Sequence, residues 1–459
     1  MRASFLTYLG IAHRIADYAP WRVRLPTDRG PSGDGPSKRR TNTRGFGPSS
    51  IRTLIIAAGL LFSVCPAESF GQVPVSPRPL ILISIDGFRW DYLEKYEAPV
   101  LRQLAKEGVR AKRLIPSFPS LTFPNHYTII TGLRPEHHGV VANNFYDPAL
   151  QEFFNFKTNE TSTDPRWWAG GEPLWITAER QGVRSACFFW PGSEAENHGL
   201  HPSYFKKFDK SVSCVQRVDG VLAWLDLPAE QRPRFCTLYF DTVDSKGHLY
   251  GPDAPETAAA IREVDEAVGR LLTGLAARGL RGKTDLVIVS DHGMEPVSAD
   301  RTILLDDYVD LNSITIDFAG SNAGLRPKIG TAGELVEKFR GKHPQLSAWL
   351  REEVPESLHY RASGRIAPVV LSAAPGWTIL SRDFLRMKRL VFERGAHGYD
   401  PATPNMGALF IANGPSFQHG RVIDNVENIH IYNLLCAALG LKPAPNDGDD
   451  RLVREVLVR

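Results

Sequence analysis

Cysteine is scarce in this chain: five residues in 459, none spaced as a zinc knuckle. Long hydrophobic runs are missing as well. The most apolar stretch, Leu54 to Val64, is eleven residues, well short of the roughly 20 that span a bilayer as a helix, so no stable membrane anchor is expected. The body of the chain also has no block of Lys and Arg. Residues 1–50 hold nine basic against three acidic residues, and because the whole chain nets +3, the other 409 carry −3. A near-neutral body excludes a nucleic-acid scaffold bound through a broad basic face. Any phosphate chemistry must therefore come from a local site. No internal repeat is present, which removes solenoids and arrays.

What the chain does have is core material, with 42% hydrophobic residues, too many for a disordered polypeptide. Residues 1–50 are the exception. They are rich in Arg, Pro, Gly and Ser, with Gly30 to Ser37 at their centre, and form a leader unable to build a core; a start assigned upstream of the true one would explain it. Arg52, the apolar run to Val64 and the small residues Ala67, Ser69 and Gly71 then follow the order of a secretory signal over 51–71. Export to the periplasm or medium of a bacterium is the expectation. Past the signal, Cys187, Cys214, Cys236 and Cys436 allow three pairings if all are bridged.

From Pro79 the pattern alternates between strand and helix. Leu80 to Ile85 is a continuous apolar run suited to a strand covered on both faces. Ser185 to Phe189, Phe235 to Phe240, Asp285 to Ser290 and Gly407 to Ala412 are further strands. Helical periodicity runs from Val100 to Gly108, Val212 to Leu225, Pro255 to Gly279 and Ile429 to Leu439. Such alternation predicts an α/β fold, a three-layer sandwich around a mostly parallel sheet. The catalytic domain is expected over 79–440, with a tail over 441–459. The segment from about 298 to 390 is less regular, with Phe318 to Gly324 as a loop, and reads as an insertion or cap on the sheet.

Open α/β sheets place their sites beyond the carboxyl ends of the strands, and acids and histidines stand there. Leu80 to Ile85 ends in Asp86; Phe235 to Phe240 runs into Asp244 and His248; Asp285 to Ser290 ends in Asp291 and His292. His397 lies downstream between Ala396 and Gly398. Carboxylate mixed with imidazole is a zinc-binding donor set, and the number of donors allows two ions.

Five motifs together carry a resemblance: Ser84-Ile85-Asp86-Gly87-Phe88-Arg89, Thr122-Phe123-Pro124-Asn125-His126, Asp244-Ser245-Lys246-Gly247-His248, Ser290-Asp291-His292-Gly293-Met294 and Gly395-Ala396-His397-Gly398. In that order they resemble the nucleotide pyrophosphatase/phosphodiesterase family of the alkaline phosphatase superfamily, in its compact bacterial form. The resemblance implies an alkaline phosphatase-like fold. It also implies two Zn²⁺, one held by Asp244, His248 and His397, the other by Asp86, Asp291, His292 and the hydroxyl of Thr122. Thr122 becomes the catalytic nucleophile, although it would serve equally as a helix N-cap before Tyr127 and Ile130. Asn143 becomes the donor to a phosphate oxygen, with Asn144 the neighbouring candidate and a turn role open to either, and Phe123 with Tyr204 the aromatic pair around a nucleobase. Trp167, Trp168 and Trp175 either wall that pocket or pack. His126, His137 and His138 match no ligand position and are read as structural.

The function that follows is an exported zinc-dependent phosphodiesterase, a monomer acting on a small nucleotide or other phosphodiester through a phospho-threonine intermediate. No residue is matched to the arginine that grips a doubly charged monoester in the superfamily's phosphatases, which leans toward diesters. A phosphomonoesterase, a choline-type phosphodiesterase or a non-catalytic zinc-binding protein are the alternatives, and a sulfatase is disfavoured because position 122 is not cysteine.

Overall fold

Alternate residues of Leu80–Ile85 enter two different cores, which makes this strand the axis of the fold. Leu80 and Leu82 pack into one hydrophobic cluster, Ile81, Ile83 and Ile85 into another on the opposite face, as the two-residue period of a strand requires. The computed structural model describes residues 78–388 and 392–458; the leader and the signal expected over 51–71 lie outside them.

Eight strands form the central sheet in the order Arg421–Ile423, Val109–Ala111, Phe410–Asn413, Asp285–Val289, Leu80–Ile85, Phe235–Phe240, Ser185–Phe188, Tyr204–Lys206. All run parallel except Phe410–Asn413, which is antiparallel to both neighbours. This last strand begins three residues later than its apolar run. Pro404–Met406 forms a short 3₁₀ turn before it, and Ala408 makes only isolated bridges to Arg89 and Leu114.

Helices cover both faces. Pro99–Glu107, Cys214–Leu225 and Pro255–Ala277 bury Leu101, Val218, Val264 and Leu271 against one face. Thr122–Thr131, Leu174–Arg180 and Ile431–Leu439 bury Ile129, Trp175 and Leu434 against the other. The expected tail is not a tail: Arg451–Val456 is helical, and Leu452 and Val456 are buried in that second core. Nor is there a disulfide framework among the described residues. Cys187, Cys214, Cys236 and Cys436 are all buried free thiols, with Cys187 and Cys236 on opposite faces of the sheet.

The expected insertion carries its own antiparallel sheet, ordered Ile314–Phe318, Asn322–Pro327, Val369–Ala373, Leu346–Leu350. Its core includes Leu305, Leu325, Phe339, Val369 and Leu371. The loop expected from Phe318 to Gly324 shrinks to a tight connection at 319–321, because Ala323 and Leu325 point into that core. Gly324 lies under the Phe318 ring, where a Cβ would come within 2.8 Å.

Candidate active site

The carboxyl ends of three neighbouring strands deliver Asp86, Asp291 with His292, and the helix Thr242–Tyr250. Asp244 and His248 lie one turn apart on that helix and so share a face. His397 follows Gly395–Ala396, which is pinned antiparallel to Glu295–Pro296. Gly87 has a left-handed φ of +67°, and a Cβ there would meet Asp244 at 3.0 Å. Only glycine lets the first strand end turn this close to the Asp244 helix.

Two clusters result. In the first, Asp244 Oδ1 is 3.4 Å from His248 Nε2 and 3.6 Å from His397 Nε2, and the two Nε2 atoms are 3.1 Å apart. In the second, His292 Nε2 is 3.4 Å from Asp86 Oδ1 and 3.0 Å from Asp291 Oδ2. The clusters adjoin, with the His292 and His397 rings stacked at 3.5 Å.

The donor atoms fit divalent cations. Asp86 Oδ1, Asp244 Oδ1 and Asp291 Oδ2 are buried without a hydrogen-bond partner, an arrangement that is costly unless a positive charge meets them. Each histidine presents a fixed tautomer. Nδ1–H of His248, His397 and His292 donates to the carbonyl of Gly395, Ser120 and Gly293, each at 2.9 Å, which leaves Nε2 as a lone pair. The Tyr239 hydroxyl donates to Asp86 Oδ2 at 2.6 Å and orients the other oxygen.

Without a cation these charges conflict. Burial pushes the Asp86 carboxyl well above its usual range, and Asp291 and Asp244 push it further. Burial raises Asp244 too. Burial opposes ionisation of Asp291, but His292 and His126 overcome it and hold that carboxyl well below the usual range. Burial pushes the His397 imidazole well below its usual value, and the neighbouring His292 and His248 oppose a proton on it further.

Thr122 is the first residue of the helix Thr122–Thr131. Leu121 occupies the cap position, so the Thr122 hydroxyl is not used in capping. It lies 3.2 Å from His292 Nε2 instead. Asn143 Oδ1 accepts the backbone N–H of Phe123 at 3.0 Å, and its amide nitrogen has no acceptor among the described residues. The Phe123 ring is half-buried, 5.3 Å from Phe156 and 6.1 Å from Trp168.

Residues 80–400 match the family model described as type I phosphodiesterase / nucleotide pyrophosphatase. The chain belongs to this family. It is 42% identical over 410 residues to an uncharacterized pyrophosphatase/phosphodiesterase of Schizosaccharomyces pombe, covering 87% of this chain and 84% of that one. It is 40% identical over 402 residues to human ectonucleotide pyrophosphatase/phosphodiesterase family member 1, covering 83% of this chain but 42% of the human protein. Among solved structures, murine ectonucleotide pyrophosphatase/phosphodiesterase 5 superposes with a TM-score of 0.79 at 35% identity, covering 83% of this chain and all of that one. An inactive threonine-to-alanine variant of the murine protein was solved in complex with AMP, with the same TM-score.

Within this phosphodiesterase/pyrophosphatase chain, one expected site residue lies elsewhere. Tyr204 stacks on Trp224 at 6.3 Å, and its hydroxyl donates to the Gln231 carbonyl. It packs on the opposite sheet face from Phe123, because its strand, parallel to Ser185–Phe188, turns that side chain away. Phe208, four residues on, is the aromatic beside the site. Its ring is 44% exposed and lies edge-on to Tyr239 at 6.0 Å, next to the tyrosine that grips Asp86. An exposed ring just past a strand's carboxyl end is the signal that could have found it.

His126 is no ligand-cluster member, yet it ties three of the motifs together. Its Nδ1 lies 2.9 Å from the Thr122 carbonyl and 3.3 Å from Asp291 Oδ2, and its Nε2 is 2.8 Å from Ser84 Oγ. Its spacing of four from Thr122 on one helix was the legible clue. Trp167, Trp168 and Trp175 are buried; Trp168 backs Phe123, and the other two are packing. His137 and His138 bond Asp447 and Thr128.

Proposed function

We propose that this protein is a metal-dependent phosphodiesterase that cleaves nucleotide phosphodiester and pyrophosphate bonds to release nucleoside 5′-monophosphates. The observation that carries the reading is the Thr122 hydroxyl beside two adjoining clusters whose three carboxylate oxygens lack partners. Asp244, His248 and His397 would hold one Zn²⁺, and Asp86, Asp291, His292 and the Thr122 oxygen a second. Such a pair supplies charge neutralisation and Lewis acidity toward phosphoryl oxygens when bound.

The chain's own groups then divide the work. Thr122 Oγ attacks phosphorus in line with the leaving oxygen, giving a phospho-threonine that water resolves. Its place in the first helical turn favours the phosphoryl anion. Asn143 holds the Phe123 amide through Oδ1 and directs its Nδ2 hydrogens to a non-bridging oxygen. Phe123 and Phe208 offer aromatic faces to a base. The apolar run Leu54 to Val64 supports export, and the location of the mature chain in fractionated cells tests it.

The decisive assay compares the p-nitrophenyl ester of thymidine 5′-monophosphate with p-nitrophenyl phosphate, on zinc-loaded protein and on Thr122→Ala. Preference for the diester, lost in the variant, is the expected result. Preference for the monoester would place the chain with the phosphatases, and no turnover despite bound zinc would leave a non-catalytic zinc protein.

A further inference from the structure

Beyond its two-residue strand and one isolated backbone bridge from Gly398 to Ser120, the loop that carries His397 is held by side chains. The carbonyls of three consecutive residues, His397, Gly398 and Tyr399, accept from the Ser321 hydroxyl at 2.7 Å, the Asn322 side-chain amide, and the Ser120 hydroxyl at 2.9 Å. Ser120 also accepts the His397 Nδ1–H through its carbonyl. Two of the three donors thus come from the insertion, at the start of its strand Asn322–Pro327. Both are buried, with Ser321 5% and Asn322 3% exposed. The fit is tight: Gly398 has φ +110°, and a Cβ there would come within 2.2 Å of Ser321 Oγ.

We infer that Ser321 and Asn322 are positioning residues for His397, and that the insertion thereby sets the cation affinity of the Asp244/His248/His397 cluster. An imidazole presents its lone pair correctly only if its ring and backbone are both fixed. Ser120 fixes the ring; Ser321 and Asn322 fix the peptide planes on its C-terminal side. The Asp86/Asp291/His292 cluster receives no hydrogen bond from either residue and meets the His397 loop only through the stacked His292 ring, so the direct effect falls on one site. The inference rests on the proposal that both clusters hold cations.

The test uses the full chain stripped of metal and titrated with Zn²⁺ against a chromophoric chelator, with Co²⁺ absorption as an independent report of coordination. The wild type is expected to bind two ions. Ser321→Ala, which removes one oxygen and little volume, and Asn322→Ala should each weaken one of the two sites by about 10- to 100-fold and leave the other unchanged. The Co²⁺ spectrum of the weakened site should change, and Ser321→Thr, which keeps the donor, should restore it. Unchanged affinities in folded Ser321→Ala and Asn322→Ala overturn the inference while sparing the cation reading. Equal weakening of both sites overturns it too, since that marks general loosening. A wild type that binds no ion sinks the cation reading and the inference with it.

Discussion

His248 and His397 face each other through Nε2 atoms 3.1 Å apart while Nδ1 of each donates to a backbone carbonyl, so the neutral rings point two lone pairs at one another. Two lone pairs at this distance repel unless a cation lies between them and Asp244 Oδ1. Metal removal should therefore destabilise the fold as well as stop turnover. Saturating zinc at 1,000 times its dissociation constant adds about 4 kcal/mol per site, so the melting temperature of stripped protein should rise stepwise with added zinc. His248→Ala should bind one ion rather than two. A melting temperature that ignores zinc would contradict the arrangement.

Asn143 makes two separable contributions. Its Oδ1 accepts the Phe123 N–H at 3.0 Å, and its Nδ2 is the donor proposed for a phosphate oxygen. Asn143→Ala should lower kcat by roughly 10²- to 10³-fold with little change in KM, as loss of a transition-state donor does, and should cost about 1 kcal/mol of stability. Asn143→Asp keeps the acceptor for Phe123 but loses the donor. It should match the alanine variant in kcat and the wild type in urea denaturation; a kcat near wild type would remove Asn143 from the reaction.

How much of this was legible before the fold was known depended on the range of the interactions. Asp86 and the Asp291–His292 pair could be read because a parallel sheet brings its strand ends together, and both directly follow their apolar runs. Thr122 and His397 needed the motif resemblance, since nothing local brings position 122 beside His292. Tyr204 and Phe208 show where local reading stops. Both are aromatics near the same strand, and only its pairing and facing decide that Tyr204 turns to Trp224 while Phe208 turns to Tyr239. The grip of Ser321 and Asn322 on the His397 loop spans 76 residues and left no periodic trace in the sequence.

The exchange of Tyr204 for Phe208 is itself open to measurement. Stacking on an aromatic contributes about 1 to 3 kcal/mol per base, so Phe208→Ala should raise KM for a nucleotide ester by roughly 5- to 150-fold. Bis(p-nitrophenyl) phosphate, which has no base, should be far less affected. Tyr204→Ala should lower the melting temperature through lost packing on Trp224 and leave KM alone. The reverse pattern would return the base-binding role to Tyr204.

His138 ties stability to pH from inside the core. Its Nδ1 accepts the Val140 N–H at 3.1 Å, its Nε2 lies 3.0 Å from Thr128 Oγ1, and it has no exposed surface. The neutral ring is satisfied, and a second proton would have to displace the Val140 amide. Burial, with the charges of His137 and Arg365 adding to it, pushes the imidazole down from 6.5 to about 3. The unfolded chain therefore binds one more proton than the folded chain between those values. This contribution is complete above pH 6.5 and is lost as pH falls toward 3, at about 1.4 kcal/mol per pH unit. His138→Gln has no such titration. In metal-free protein, the stability difference between wild type and variant should shrink by about 2 kcal/mol from pH 7 to pH 5 in urea denaturation. A difference independent of pH would show that the folded protein takes up this proton as readily as the unfolded chain does.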